Sequence, residues 1–271
     1  MTILQKLFKP RAPSETPIKP KSQPIAALAT NMRLVAVGDI HGMLSELRQL
    51  HTKVASDLKV ASLQPESFAT TWIYLGDYVD RGPESAGVID YLLEIKNKLL
   101  PGNEMIFLRG NHEQLLLDFL EQENDDAPFW LRSGGFETLE SYGVFLNRKH
   151  NTLQRNAARE ELRRKVPPTH LKFLKETQLS HTIGDYYFCH ATIDPDVSLE
   201  KQVAKDLLWS RNTKFLDENY IGKLIVHGHT PVKTPVLAKG HANVDTGAYA
   251  TGQLSALILF GTDQYFISNK S

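Results

Sequence analysis

Three apolar runs in the first half of the chain each lead into a short glycine-flanked segment carrying acid, amide or imidazole. LVAV (34–37) runs into GDIHG (38–42), WIYL (72–75) into GDYVDRG (76–82), and MIFL (105–108) into GNHE (110–113). Short apolar runs that stop at a turn suit strands buried on both faces. Between the first two, Leu44, Leu47, Leu50, Val54 and Leu58 recur at three- and four-residue spacing, the apolar stripe of a helix. Ser85 to Leu99 reads as the next helix. The pattern is strand and helix in alternation, so an α/β fold is expected, with a chemical group at each strand's carboxyl end, where sites form in such sheets.

Asp39 and His41 are two residues apart, which on extended backbone places both side chains on one side as a compact grip. Asp77 has two oxygens with which to bridge two ions, and Asn111 offers a neutral amide oxygen. Two later apolar runs end in FCHA (188–191) and VHGHT (226–230), which add His190 and His229. Oxygen and imidazole donors in this number suit a pair of divalent cations that hold hydroxide and a phosphoryl group together. A lone histidine would be read as a satisfied core residue; the same strand-end placement five times over reads as a site.

Composition bounds the partners. The chain has 271 residues, 41% of them apolar, enough for a packed core. Total charge is zero, but residues 1–30 carry Lys6, Lys9, Arg11, Lys19 and Lys21 against Glu15 alone. The remainder is therefore acidic overall, which argues against a broad nucleic-acid-binding face. Cys189 is the only cysteine, so an intramolecular disulfide and a cysteine-rich zinc site are both excluded. No apolar run is long enough to span a membrane, and the start lacks the apolar centre of a secretory signal. A cytoplasmic monomer is the expectation.

Five of the fourteen prolines fall in the first 24 residues, so residues 1–32 are expected to be a disordered basic leader, with order beginning near Arg33 and one catalytic domain over 33–271. From about 114 to 177 the pattern turns helical and more polar, a cap beside the site or a layer that never meets substrate. Within it, Thr169 is a candidate N-cap for the helix HLKFLKET. Strand patterns resume with YYFCHA, KLIVHGH and LSALILF, the last expected to close a sheet.

GDIHG, GDYVDRG, GNHE, HA and HGHT together resemble the calcineurin-like metallophosphoesterases, and within them the phosphoprotein phosphatase branch. WLRSGGFETLESYG, DLLWSR (206–211) and DTGAY (245–249) extend the likeness from Leu34 to Phe260. It is most similar to the short bacterial-type serine/threonine protein phosphatases. The resemblance implies a four-layer α/β/β/α sandwich of two mixed β-sheets. It assigns Asp39 and His41 to a first metal, Asn111, His190 and His229 to a second, and Asp77 to both. Mn²⁺ is the expected metal, with Fe, Zn or Ni accepted by the same donors. Pro231 stands where many distant relatives have a further ligand histidine, and Thr192 where relatives usually have glycine, so that loop is expected to differ in shape. His227 is not a matching ligand position.

The same likeness gives Arg81 and Arg211 the task of gripping phosphoryl oxygens with planar donor forks. It makes His112 the acid that protonates the leaving alkoxide, its ring held by Asp80. The expected activity is hydrolysis of phosphoserine or phosphothreonine in proteins, phosphotyrosine included. The alternatives are symmetrical dinucleoside-tetraphosphate hydrolysis and a non-catalytic phosphoprotein-binding module. A cysteine-dependent phosphatase is excluded, because the residue six positions after Cys189 is Pro195. Asp245 reads equally as an orienting group or a turn carboxylate satisfied by backbone amides.

Overall fold

The computed structural model describes residues 26–28, 32–61, 69–98, 103–121, 127–218, 220 and 222–270. Among them, β1 (Met32–Val37), β2 (Ala69–Tyr74) and β3 (Glu104–Phe107) are parallel neighbours in the order β1-β2-β3. Register is what makes a site of them. Val37 lies opposite Tyr74, and Tyr74 opposite Phe107, so the three strands finish level and their loops emerge together. On the far side of β1, β9 (Ser255–Phe260) and then β10 (Asp263–Ser268) continue the sheet antiparallel. LSALILF thus lies inside the sheet rather than closing it, and β10 takes the edge.

A second sheet has the order β4-β5-β6-β8-β7: β4 (Ser180–Ile183), β5 (Tyr186–Cys189), β6 (Leu224–His227), β7 (Val236–Leu237) and β8 (His241–Asn243). Parallel β5 and β6 deliver His190 and His229 to one edge of this sheet. Both sheets are five-stranded and mixed.

Side-chain alternation explains the continuous apolar runs. Leu34, Ala36, Ile73 and Leu75 face the second sheet and pack with Phe188, Val226, Ala242 and Val244. Val35, Val37 and Tyr74 face the other way, against Leu47, Leu50 and Val54 of α1 (Leu44–Ala61) and Val88 and Leu92 of α2 (Ser85–Asn97). Beyond the second sheet, Tyr187, Cys189 and Ile225 meet Leu207 of α8 (Ala204–Trp209) and Leu216 of α9 (Lys214–Glu218). Helix, sheet, sheet, helix is the expected four-layer order.

The middle region is helical: α3 (Asn111–Glu121), α4 (Ala127–Trp130), a kinked link over Leu131–Gly135 with Gly134 at φ 119°, α5 (Phe136–Ser141), α6 (Thr152–Lys165) and α7 (Pro168–Glu176). Leu116, Phe119, Trp130, Leu139, Leu162 and Phe173 join the α1–α2 core, so this is an integral layer. Two expectations are corrected. Thr169 does not cap α7, because Pro168, with its φ preset, takes the first helical position and Pro167 the cap. Order also begins before Arg33: Leu28 is buried between the sheets and donates from its backbone to Gly261 O, 2.9 Å away. Residues 1–25 and 29–31 of the leader lie outside the described residues. No helix among those described is long and apolar enough to cross a membrane.

One side chain under α1 gives the fold a pH dependence. His51 sits between two hydroxyls, Tyr91 Oη at 2.9 Å from Nδ1 and Tyr74 Oη at 3.2 Å from Nε2, which suits a neutral ring with one donor and one acceptor. Burial lowers it from 6.5 to about 4. Below pH 6.5 the unfolded chain takes up a proton that the folded chain refuses, so stability should fall from pH 6.5 down to about 4 and then level at this residue. The check is Tm against pH in wild type and His51→Gln, with a shallower slope expected in the variant over that window.

Candidate active site

The loops leaving β1, β2 and β6 carry strained backbone. His41 (φ 47°), Asp77 (52°), Asp80 (71°), Arg81 (69°) and His229 (63°) are the non-glycine residues at positive φ among those described. Each such conformation costs about 1–3 kcal/mol and persists only where its surroundings enforce it, as they do here. Asp77 O accepts from the N–H groups of Ile40 (3.1 Å) and His41 (2.7 Å), locking the first loop onto the second. Asp39 and His41 are therefore gathered by a turn, not by the extended backbone expected. Glycine is required where these loops touch: a Cβ on Gly110 would lie 2.0 Å from Asp77 Oδ1, and one on Gly228 2.0 Å from Asp39 Oδ1.

Glu113 ties the second and third loops together. Its carboxylate accepts from the backbone N–H groups of Asp77 (2.8 Å), Tyr78 (2.7 Å), Val79 (3.2 Å) and Gly110 (2.8 Å). Glu113→Gln keeps the shape but turns acceptor into donor on one side, stranding buried N–H groups at about 1–3 kcal/mol each. The expected result is a lower Tm together with weaker metal binding by calorimetry; an unchanged affinity would show that the tie does not shape the site.

The donor atoms converge as a cation requires. His41 Nδ1 is 2.8 Å from Val79 O and His190 Nδ1 is 2.9 Å from Leu75 O. Each ring must donate through Nδ1, which leaves Nε2 as a lone pair. His190 Nε2 is 3.0 Å from Asn111 Oδ1 and 3.1 Å from His229 Nδ1, and those two are 3.0 Å apart. Two acceptors at 3.0 Å have no proton to share. A cation satisfies them, since an octahedron with ~2.1 Å bonds has edges of about 3 Å. His41 Nε2 likewise has no hydrogen-bond partner among the described residues, and Asp77 Oδ2 lies 3.3 Å away.

Asp77 faces both clusters: Oδ2 is 3.3 Å from His41 Nε2 and 3.5 Å from His190 Nε2. It does so with one oxygen, not two, because Oδ1 accepts from the His112 backbone N–H at 3.1 Å. Burial would raise its carboxyl, but His190, His112 and His41 outweigh that and hold it well below the ordinary range. Burial followed by its neighbours Asp245 and Asp77 pushes Asp39 well above that range, the repulsion that a bound cation relieves. Asp39 also accepts from the His229 backbone N–H at 3.0 Å. Burial and then His190 lower His229 to about 3, leaving it neutral and able to coordinate.

His112 falls within ligand distance of His41 and Asp77, yet its nitrogens are engaged otherwise. Nδ1 donates to Asp80 Oδ2 at 2.7 Å, and Nε2 accepts from Arg81 Nη2 at 3.0 Å. The Arg81 guanidinium lies 4.5 Å from the centroid of the Tyr249 ring, on α10 (Ala248–Thr251). Arg211 is exposed, and its charge contributes to lowering His229. The opening is rimmed by aromatic rings: Trp209 is 6.3 Å from His229, Phe129 is 6.1 Å from Trp209, and Tyr249 is 5.3 Å from His41.

Thr192 avoids positive φ, and its hydroxyl donates to Ser210 Oγ at 2.9 Å, anchoring the segment that carries Arg211. Asp245 accepts from the Gly247 N–H at 2.8 Å, as a turn carboxylate does. His227 is buried against His241, Nε2 to Nδ1 2.8 Å, away from the ligand clusters. Cys189 is a buried thiol that desolvation pushes up. The sequence reading missed Trp130, Thr138, Ser85 and Tyr249 as neighbours of the site, and Glu113 as its tie. Glu113 stood inside GNHE, Trp130 and Thr138 inside WLRSGGFETLESYG and Tyr249 inside DTGAY, segments already singled out, yet none of the four had been given a role.

The family model for calcineurin-like phosphoesterases matches residues 32–255. An asymmetrical bis(5'-nucleosyl)-tetraphosphatase of Bacillus thuringiensis is 27% identical over 242 residues, 83% of this chain and 90% of that one. Among solved structures, a cold-active protein-tyrosine phosphatase of a psychrophilic Shewanella superposes with TM-score 0.56 at 16% identity, covering 91% of this chain and 84% of that one. A protein serine/threonine phosphatase from Saccharomyces cerevisiae does so with TM-score 0.52 at 15% identity over the same shares. These two likenesses concern the fold.

Proposed function

The chain belongs to the calcineurin-like phosphoesterases, and we propose that it is a metal-dependent phosphomonoesterase acting on phosphoserine and phosphothreonine, with phosphotyrosine accepted. Two divalent cations, Mn²⁺ first among the candidates, would be held by Asp39, His41 and Asp77 on one side and by Asp77, Asn111, His190 and His229 on the other. When bound they supply Lewis acidity toward water and the phosphoryl oxygens. Arg81 and Arg211 grip the remaining phosphoryl oxygens. As Arg81 turns to the phosphoryl group it releases His112 Nε2, which can then carry the proton that the departing oxygen needs. Asp80 holds the ring at Nδ1.

The observation that carries this reading is the buried 2.7 Å contact between His112 and Asp80, beside the metal-ligand atoms. An acid is needed for a serine alkoxide and far less for a phosphate leaving group, which departs readily unassisted. A second reading, hydrolysis of dinucleoside tetraphosphates, draws on the activity for which the Bacillus relative is named, asymmetrical rather than the symmetrical cleavage first considered. A substrate panel separates them: phosphopeptides, p-nitrophenyl phosphate, its diester and diadenosine tetraphosphate, each with Mn²⁺-loaded protein. The proposal expects the highest kcat/KM on a phosphopeptide. A tetraphosphate preference of ~100-fold or more would replace it with the second reading.

A further inference from the structure

Asp80 is held from two directions besides the histidine. The oxygen that accepts from His112 Nδ1, Oδ2, also accepts from Trp130 Nε1 at 2.9 Å, and Oδ1 accepts from Thr138 Oγ1 at 2.6 Å. All four side chains are buried. Thr138 Oγ1 in turn accepts from the Asp80 backbone N–H at 2.9 Å and lies 3.0 Å from Ser85 Oγ. Its single proton goes to Asp80 Oδ1, so Ser85 donates to it. The two side-chain donors both come from the helical middle region, whose contact with the chemistry was left open by the sequence.

We propose that Trp130 and Thr138 are positioning residues for the acid. A carboxylate's terminal torsion is broad and two-fold, so Asp80 alone would not fix the plane of the His112 ring. With one donor on each oxygen the carboxylate plane is set, and with it the direction in which Nε2 faces the leaving oxygen. The local fold serves this arrangement. Gly135 lies under the indole, where a Cβ would come within 2.6 Å of Trp130 Cδ2, and the Phe119 ring packs 4.4 Å from the indole on α3. Gly134, at φ 119°, accepts from the Arg81 N–H at 3.2 Å. The kink at Gly134–Gly135 thus brings backbone onto Arg81 and Trp130 at once.

The inference rests on His112 being the acid, and the test separates the two. Trp130→Phe, Thr138→Val, Thr138→Ser and His112→Asn are loaded with Mn²⁺, checked for metal content and Tm, and assayed on a phosphoserine peptide and p-nitrophenyl phosphate. Trp130→Phe and Thr138→Val should lose about 10–100-fold in kcat on the peptide at unchanged KM. They should lose several-fold less on the aryl phosphate, while Thr138→Ser restores activity. Added to His112→Asn, neither should lower kcat further. Equal losses on both substrates, or none, with a clear split in His112→Asn, would overturn the positioning role and leave the acid standing. No split in His112→Asn itself would remove the acid and this inference with it. If Trp130→Phe fails to fold, the valine–serine pair at 138 decides alone.

Discussion

Asp77→Asn is expected to lower kcat/KM by about 10³-fold or more, the largest loss of any single ligand change. Its Oδ2 faces both His41 and His190, so the substitution weakens both ions at once. Charge stabilisation by each bound cation is worth several kcal/mol in the transition state, and each 1.36 kcal/mol is tenfold in rate. The asparagine also keeps an oxygen for the His112 backbone N–H, so the fold should survive. Metal analysis should show sub-stoichiometric occupancy at both positions. A variant that keeps two metals and near wild-type turnover would remove Asp77 from the shared position.

His112→Asn should instead keep its metals, because Asn111 and not His112 is the proposed ligand. Loss of a general acid costs about 10²–10⁴-fold, and that loss should shrink with a nitrophenolate leaving group, which departs without help. Arg211→Ala should behave differently, because its grip on the phosphoryl group does not depend on what leaves. Its penalty should be similar on both substrates. The deciding quantity is the ratio of phosphoserine-peptide to aryl-phosphate kcat/KM. A ratio in His112→Asn equal to wild type would move proton donation away from this residue.

These roles were open to sequence reading to different depths, for physical reasons. LVAV, WIYL and MIFL announced themselves because strands buried on both faces are continuously apolar, and Leu34/Val35 alternation between the two cores bears this out. β7, with two residues, and β8, with three, are too short for any periodicity to register, and the sheet they complete was expected only through the family resemblance. Asp39, His41, Asp77, Asn111, His190 and His229 stood out by recurring at strand ends. The backbone that gathers them did not. Asp and His tolerate positive φ better than most residues, but at Asp77 it is held by long-range bonds such as that from its N–H to Glu113, which sequence does not show. Trp130 was hidden for a further reason. A tryptophan in a helical stretch reads as core, which it is; only the three-dimensional arrangement shows its N–H on Asp80, 50 residues away.

The most direct test of the two-metal account is a stoichiometric reconstitution. Protein stripped by chelator is titrated with Mn²⁺ while bound metal and phosphopeptide turnover are measured on the same samples. The account predicts no turnover without metal, and activity that reaches its plateau as the second equivalent binds. Full turnover in protein shown to hold no metal would contradict it.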